Sequence, residues 1–499
     1  MKFLSGIFHR AAPQVRRPVV IAGRKYLAAR PDRIAGSFSL GVSSTSADAR
    51  EGLRGLVRHS RHMAQNDDYM KAFLRACRRN IIGPSGIALQ NQARDSNGKL
   101  DKVANRQIED AFWRWGKLGG ATVCGRFSWL DVQNIVTTTL PRDGNVLLRL
   151  YRGREFGPYG FQVQIIDVDL LDIEMSRRDL DGGGYIEAGI ECNELDRPVA
   201  YHLWSAHPGS ARARRERLRV PASDIIHLFV PDEPGQMLGV PWAHTALRRL
   251  NLMHGYEEAA LVAARTGAAK MGFFTREFND DIDPDKAREL TDENRPEISE
   301  VAAGEFETLP MGYDFKSFNP RYPDGQMNPF MQLMLRGAAA GLGVAYHSLA
   351  NDLTGANFSS LHHGVSEERA EWRTLQNYMG EHLHERVKNA WLEMALLLQK
   401  IPLPIAKFDK FSDAAWKPRG WKAINPVDEA NANQTEIESG LRSPQDVVGD
   451  RGHDLEEVYE QIAAARDLAQ SYGLTFAPRA VASSTSIDAA APPDASQNQ

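Results

Sequence analysis

The stretch from Gly239 to Phe274 constrains this chain more than any other, because it reads as one helix of about 30 residues with an unusual apolar stripe. Pro241 stands in its first turn, where the missing N–H has no helical partner to lose. From there Ala246, Leu250, Met253, Tyr256, Ala260, Ala263 and Gly267 recur at steps of three and four, which puts them on one face. Most of these side chains are small. A neighbour can approach closely while little side-chain area is buried, a pattern that suits a bundle or a ring of subunits better than a large monomeric core.

Composition limits the partners. At 499 residues the chain exceeds the usual size of one core and should divide into two or more domains. Its formal net charge of −4 argues against a protein whose main task is gripping nucleic acid by neutralising phosphates. It leaves room for a conduit, in which tight binding would be a handicap. The 3 cysteines, Cys77, Cys124 and Cys192, form no CxxC pair, so neither a disulfide framework nor a zinc site is expected, and a reducing cytoplasm is the natural setting. No run of about 18 apolar residues occurs, so no membrane span is expected. Met1 to Arg10 begins like a signal peptide, but the apolar centre is short and Arg16, Arg17, Arg24 and Lys25 follow. Residues 1–47 read as a flexible basic arm.

Along the chain, residues 48–80 carry a helical period through Leu53, Leu56, Met63, Tyr69 and Phe73, ended by Gly83-Pro84. A second helix covers about 101–118, with Phe112, Trp113 and Trp115 as core aromatics. From Asn134 to Val230 the period shifts toward two. Segments 145–151, 162–166, 184–191, 199–204 and 225–230 read as strands separated by Gly- and Pro-containing turns, and the basic run 210–219 as a solvated loop. Few helices lie between these strands, so the fold class is α+β with mainly antiparallel sheets. Residues 326–343 form another small-residue helix. Phe358 to Gln399 reads as an almost continuous helix on the order of 60 Å long, kinked near Gly364 or Gly380. Two further helices lie between Ser443 and Tyr472, and a disordered Ala/Ser/Pro tail follows from 477.

Catalytic signatures are absent. His59 and His62 lie beside Arg58 and Arg61, which repel a cation. His382 and His384 point to different faces, and His362 and His363 are adjacent. No phosphate-binding GxxxxGK[ST] loop and no GxSxG elbow occur. Asp280, Asp281, Asp283 and Asp285 lack the Gly and terminal Glu of a calcium loop and read as a solvated turn. Neither catalytic residue, cofactor nor metal is expected.

Several segments, in order, resemble the lambda-like portal proteins of tailed bacteriophages. They are Leu56 to Asn66, Asn80 to Gln90, the GVPW…LRRLN…GYEEAALVAAR…KMGFF run of 239–274, the NDLTGANFSS element of 351–360, and the Asn425-Pro-Val-Asp…Gly440-Leu-Arg-Ser…Gly452-His-Asp-Leu-Glu-Glu-Val458 close. Leu361 stands where that family often has an Arg, so no basic role is carried over there. The resemblance implies a portal fold: a wing (48–240 and 358–424), a stem of two helices (241–269 and 326–345), a clip (270–325), a tunnel loop (346–357) and a crown (425–476). It also implies a homo-oligomeric ring of twelve at a capsid vertex in the virion, assembled in the host cytoplasm. Double-stranded DNA would pass through it, and its partners would be the terminase large subunit, the major capsid protein and scaffold, and the head–tail adaptors.

Within that frame Asn351, Asp352, Thr354, Gly355 and Asn357 are expected to line the channel at the tunnel loop. Ala246, Leu250, Met253, Tyr256, Ala260 and Ala263 are expected to hold neighbouring subunits together, and Glu257 and Glu258 to face the channel. Two other readings stay open. Asp143, Asp167 and Asp169 lie on or beside strands and could hold metal ions in a nucleic-acid-processing nuclease. A capsid or scaffold protein without a channel is the third.

Overall fold

The computed structural model describes residues 45–180, 183–210, 216–268, 272–276, 313–317, 325, 327–354, 358–421, 425–453 and 455–474. The basic arm as far as residue 44, the Asp280–Asp285 cluster with the rest of 277–312, Gly355, Asn357 and the tail from 475 lie outside the described residues.

The chain opens with α1 (Thr45–Asn66) and α2 (Asp68–Cys77). The expected single helix is divided because Asp67 takes an extended backbone and its carboxylate accepts the Met70 N–H at 2.6 Å, capping a new helix start. A π-helical turn, Arg78–Ile82, continues α2 to Gly83. There follow β1 (Ala88–Asn91), α3 (Lys102–Trp115) and α4 (Trp129–Asp143). α4 overturns the strand-like reading of 134–143. Ser128 and Asp131 form a reciprocal capping box, and the buried residues Val132, Val136 and Leu140 then recur every fourth position.

The sheets are antiparallel throughout. β3 (Phe161–Ile166), β2 (Val146–Arg152) and β8 (Ile225–Leu228) make one three-stranded sheet. β4 (Tyr185–Glu187), β5 (Ile190–Cys192), β6 (Pro198–Trp204) and β7 (Arg217–Pro221) make a four-stranded meander. The single strand expected at 184–191 is a hairpin, since Ala188 and Gly189 both take positive φ at its tip. β7 replaces part of the expected loop. Arg217 and Arg219 lie on it and hold Asp172 and Glu191 of the same chain, at 2.6 and 2.7 Å. β9 (Gly272–Arg276) pairs with β10 (Tyr313–Ser317).

α5 (His244–Ala268) and α6 (Met327–Leu342) are the two small-residue helices, followed by the short α7 (Tyr346–Ala350). The long helix is α8 (Phe358–Met379), a π-helical turn at Gly380–Glu385 and α9 (Arg386–Leu397), so its irregularity falls at Gly380 and not at Gly364. Next come α10 (Phe408–Ser412) and β11 (Ala414–Lys417), which pairs with the distant β1. α11 (Pro426–Glu438), α12 (Pro444–Gly449) and α13 (Leu455–Ser471) finish the described chain.

Most of the core is one cluster in which α2, α3, α4 and α9 pack around the three-stranded sheet. A second cluster lies under the meander and takes Leu53 and Val57 from α1. At the centre, Trp115 and Trp391 are fully buried, and Phe112 stands 5.1 and 5.0 Å from them, ring to ring. Lys388 is also fully buried. Its ammonium donates to the Phe411 and Ser412 carbonyls at 2.9 and 2.6 Å, the free C-terminal end of α10, and burial pushes its pKa down to about 8.

Candidate functional site

The segment leading into α5 is joined to the main core by backbone contact. Gly144, at φ +77, ends α4, and a Cβ there would lie 2.3 Å from the Val240 carbonyl carbon, so only glycine lets the two segments meet. The buried Asn145 side chain then grips Gly239 from both sides, accepting its N–H at 2.8 Å and donating to its C=O at 2.7 Å. His227 stands 3.1 Å from the same Asn145 oxygen. Burial, with Arg386 adding, pushes its pKa down to about 3, so the ring is neutral and donates its Nε2 proton. The helix direction is thereby fixed at its first turn.

The stripe expected to meet neighbouring subunits is used inside the chain. Ala246, Leu250, Met253 and Ala260 are each no more than 3 % exposed, and Tyr256 and Ala263 are half-buried. Met253 packs with Met331 and Leu335 of α6. Thr245 donates to the Gly341 carbonyl at 3.0 Å, an approach that a side chain at 341 would obstruct. The small residues do permit close helix packing, as the pattern demanded, but the partner is the chain's own α6. The opposite side of α5 is different. Leu252, Gly255, Ala259 and Val262 recur at three, four and three residues, all are exposed, and nothing lies within 4 Å of a Cβ built on Gly255. On α6, Phe330 and Leu333 are likewise exposed.

The two glutamates part ways. Glu257 is half-buried and faces α2, where the Tyr69 hydroxyl lies 3.5 Å from it; burial and then Asp67 raise its pKa. Glu258 is exposed, as are Arg248, Arg249 and Arg265.

After α7 the backbone turns at Asn351, which takes a left-handed φ of 52°. Asp352 organises the turn: its carboxylate accepts the Tyr346 hydroxyl at 2.7 Å, the Thr354 N–H at 2.9 Å and the Thr354 hydroxyl. Those hydrogen bonds hold its pKa down at about 2. Asn351 and Thr354 are exposed. Replacing Asp352 with alanine removes these three hydrogen bonds, so amide hydrogen exchange across 351–354 is expected to quicken while the global melting temperature stays put. Unchanged exchange there would show the turn holding without its carboxylate.

The three aspartates of the nuclease reading are brought together, but around an arginine. Arg61 of α1 donates to Asp143 at 3.1 and 2.8 Å, to Asp167 at 2.6 Å and to Asp169 at 2.8 Å. Arg142 makes a second two-pronged contact with the buried Asp143, at 2.7 and 2.8 Å. Burial acts to lower the pKa of Arg61, and the bonds to Asp143 and Asp167 outweigh it and raise it. Asp167, Asp169 and His207 also stand close enough to share an ion, yet the guanidinium already supplies their positive charge. The hub ties α1 to α4 and to the loop after β3. Arg61→Ala leaves Asp143 with Arg142 alone and should cost about 2–3 kcal/mol, somewhat under the full penalty for orphaning a buried charge. A denaturant melt showing no loss would contradict this hub.

Against that geometry, the profile described as phage portal protein, lambda family, matches residues 32–376. The chain belongs to the lambda family of phage portal proteins. The portal chain is 32% identical over 459 residues to a probable portal protein of Halomonas phage phiHAP-1, covering 91% of its own length and 88% of that relative's. It is 22% identical over 306 residues to portal protein B of Escherichia phage lambda, covering 55% of its own length and 57% of the relative's. A chain in the neck of an empty gene transfer agent particle overlaps 79% of the portal chain at 15% identity and a TM-score of 0.43, covering 92% of that chain, a likeness too slight to argue from. The family profile starts before the first quoted segment and ends within α8, so the 425–458 close lies beyond it.

Proposed function

We propose that copies of this portal protein close into a ring of twelve at the capsid vertex, and that double-stranded DNA is packaged and later ejected through its centre. The observation that carries this reading is the exposed stripe Leu252, Gly255, Ala259 and Val262 on a helix whose other face is already filled by α6. A cyclic ring repeats one contact between two different patches of the same chain, and a small apolar stripe fits such a contact. In this reading α5 and α6 are the stem, β9 and β10 the base of the clip, the turn at 351–354 the start of the tunnel loop, and residues from about 425 the crown. The terminase large subunit, the capsid and scaffold proteins, and the head–tail adaptors dock on the outer faces. The chain works as a conduit and not as an enzyme.

Mass photometry of the full chain tests assembly: a species near twelve times 55.5 kDa supports it, and a persistent monomer or dimer opposes it. The exposed Glu258 gives a test of the channel. Glu258→Lys replaces a negative with a positive charge in every subunit, so if this residue faces the DNA, packaging should slow at low salt and recover as salt rises. Packaging identical to wild type at low salt would place Glu258 away from the DNA.

A further inference from the structure

Beside the Arg61 hub, an open cleft of about 590 Å³ lies between the end of α1, α2 and α4. Five of its lining residues are cationic. Arg61 and Arg142 are engaged with Asp143, Asp167 and Asp169. The remaining three, Lys71, Arg75 and Arg78, follow one another at four and three residues along α2 and its π-helical turn, which puts them on one side. All three are exposed, and none has an acidic partner among the described residues. A chain of net charge −4 thus carries a local row of unneutralised cations, beside a hub in which two arginines meet three aspartates, one of which, Asp167, also lines the cleft.

We propose that this cleft binds the phosphodiester backbone of duplex DNA without reading its sequence. It lies on α1, α2 and α4 and not on α5 or α6, and the assignment rests on the portal reading only for the presence of DNA. Three features favour phosphate. Two of the free cations are arginines, whose planar fork matches phosphate oxygens in pairs. Lys71 to Arg78 spans about 10 Å of helix, enough to follow consecutive phosphates and more than a single small anion needs. Its only apolar lining residues are Ala64 and the buried Leu74, so an acidic peptide would gain charge contacts but few side-chain contacts of its own.

The test uses the full chain and a fluorescent duplex of about 20 base pairs with random sequence, long enough to cross the cleft. Anisotropy is read at several salt concentrations. Substituting alanine at Lys71, Arg75 and Arg78 together should weaken binding at least tenfold at low salt, and should make the salt dependence shallower by nearly one unit of log–log slope per cation removed. Arg75→Lys with Arg78→Lys keeps the charge and should keep most of the affinity. A control with the exposed Lys99, Arg106 and Arg114 changed to alanine loses the same charge from another surface and should bind as wild type. Equal weakening in the control, or no weakening in the cleft variant, overturns the proposal. So does a cleft variant that loses binding to a polyglutamate peptide while holding DNA unchanged, since the cleft would then serve an acidic protein segment. Mass photometry of the same samples separates the two levels of argument: intact rings with unchanged DNA binding defeat this site alone, whereas absence of rings in the wild type defeats the portal assembly.

Discussion

Trp391→Ala is expected to lower the unfolding free energy by about 3–5 kcal/mol, as loss of a fully buried large aromatic does when its surroundings cannot collapse. The indole is completely enclosed, with Phe112 5.0 Å, Tyr159 5.7 Å and Trp115 6.3 Å away, ring to ring. It comes from α9, whereas Phe112 and Trp115 come from α3, so one side chain joins the C-terminal half of the long helix to the N-terminal core. Its indole N–H has no hydrogen-bond partner. Trp391→Phe should therefore cost far less, about 1 kcal/mol, because it loses area but also removes an unpaired buried donor. Denaturant melts of the two variants check the pair. Equal losses would mean that the nitrogen is satisfied in solution and that the packing account is incomplete.

The second large effect concerns assembly. Leu252→Glu combined with Val262→Glu places two charges per subunit on the exposed stripe. If that stripe meets a second copy, each interface must bury unpaired carboxylates, and a closed ring multiplies the penalty around its circumference. Rings should disappear altogether while the monomer melts as wild type, since both positions are more than half exposed, at 63 and 56 %. Met253→Ala should do the reverse. It opens a cavity between α5 and α6 inside one chain, at about 2–4 kcal/mol, without adding any charge to the outer face. Rings that survive the double glutamate variant would move the subunit contact elsewhere.

These two helices also show what could be read from the chain and what could not. Period and size were legible: α5 and α6 fall within a few residues of their expected bounds, and their small residues do serve close packing. Which of two stripes faces outward was not, because Ala246–Ala260 and Leu252–Val262 are both apolar at helical spacing, and only the position of α6 decides between them. The cap at Asp67 and the box at Ser128–Asp131 were signals present in the sequence, and either would have corrected the helix boundaries. Pairing of β1 with β11 joins Asn91 to Ala414 across the length of the chain, and no local pattern announces that. Asp143, Asp167 and Asp169 were correctly grouped as acids that belong together. Their counter-ion, Arg61, had been noticed only as a charge beside two histidines, because a sequence gives residue types and not which cation completes them.

Electron microscopy of the purified full-length protein tests the central claim most directly. The account predicts closed rings in which the α5–α6 pairs surround a central hole and the Leu252, Gly255, Ala259 and Val262 side of α5 lies against an adjacent copy, with the Ala246–Ala260 stripe still on its own α6. Particles that remain single chains under all assembly conditions, or rings whose copies touch only through the four-stranded meander while this side of α5 stays in solvent, would contradict it.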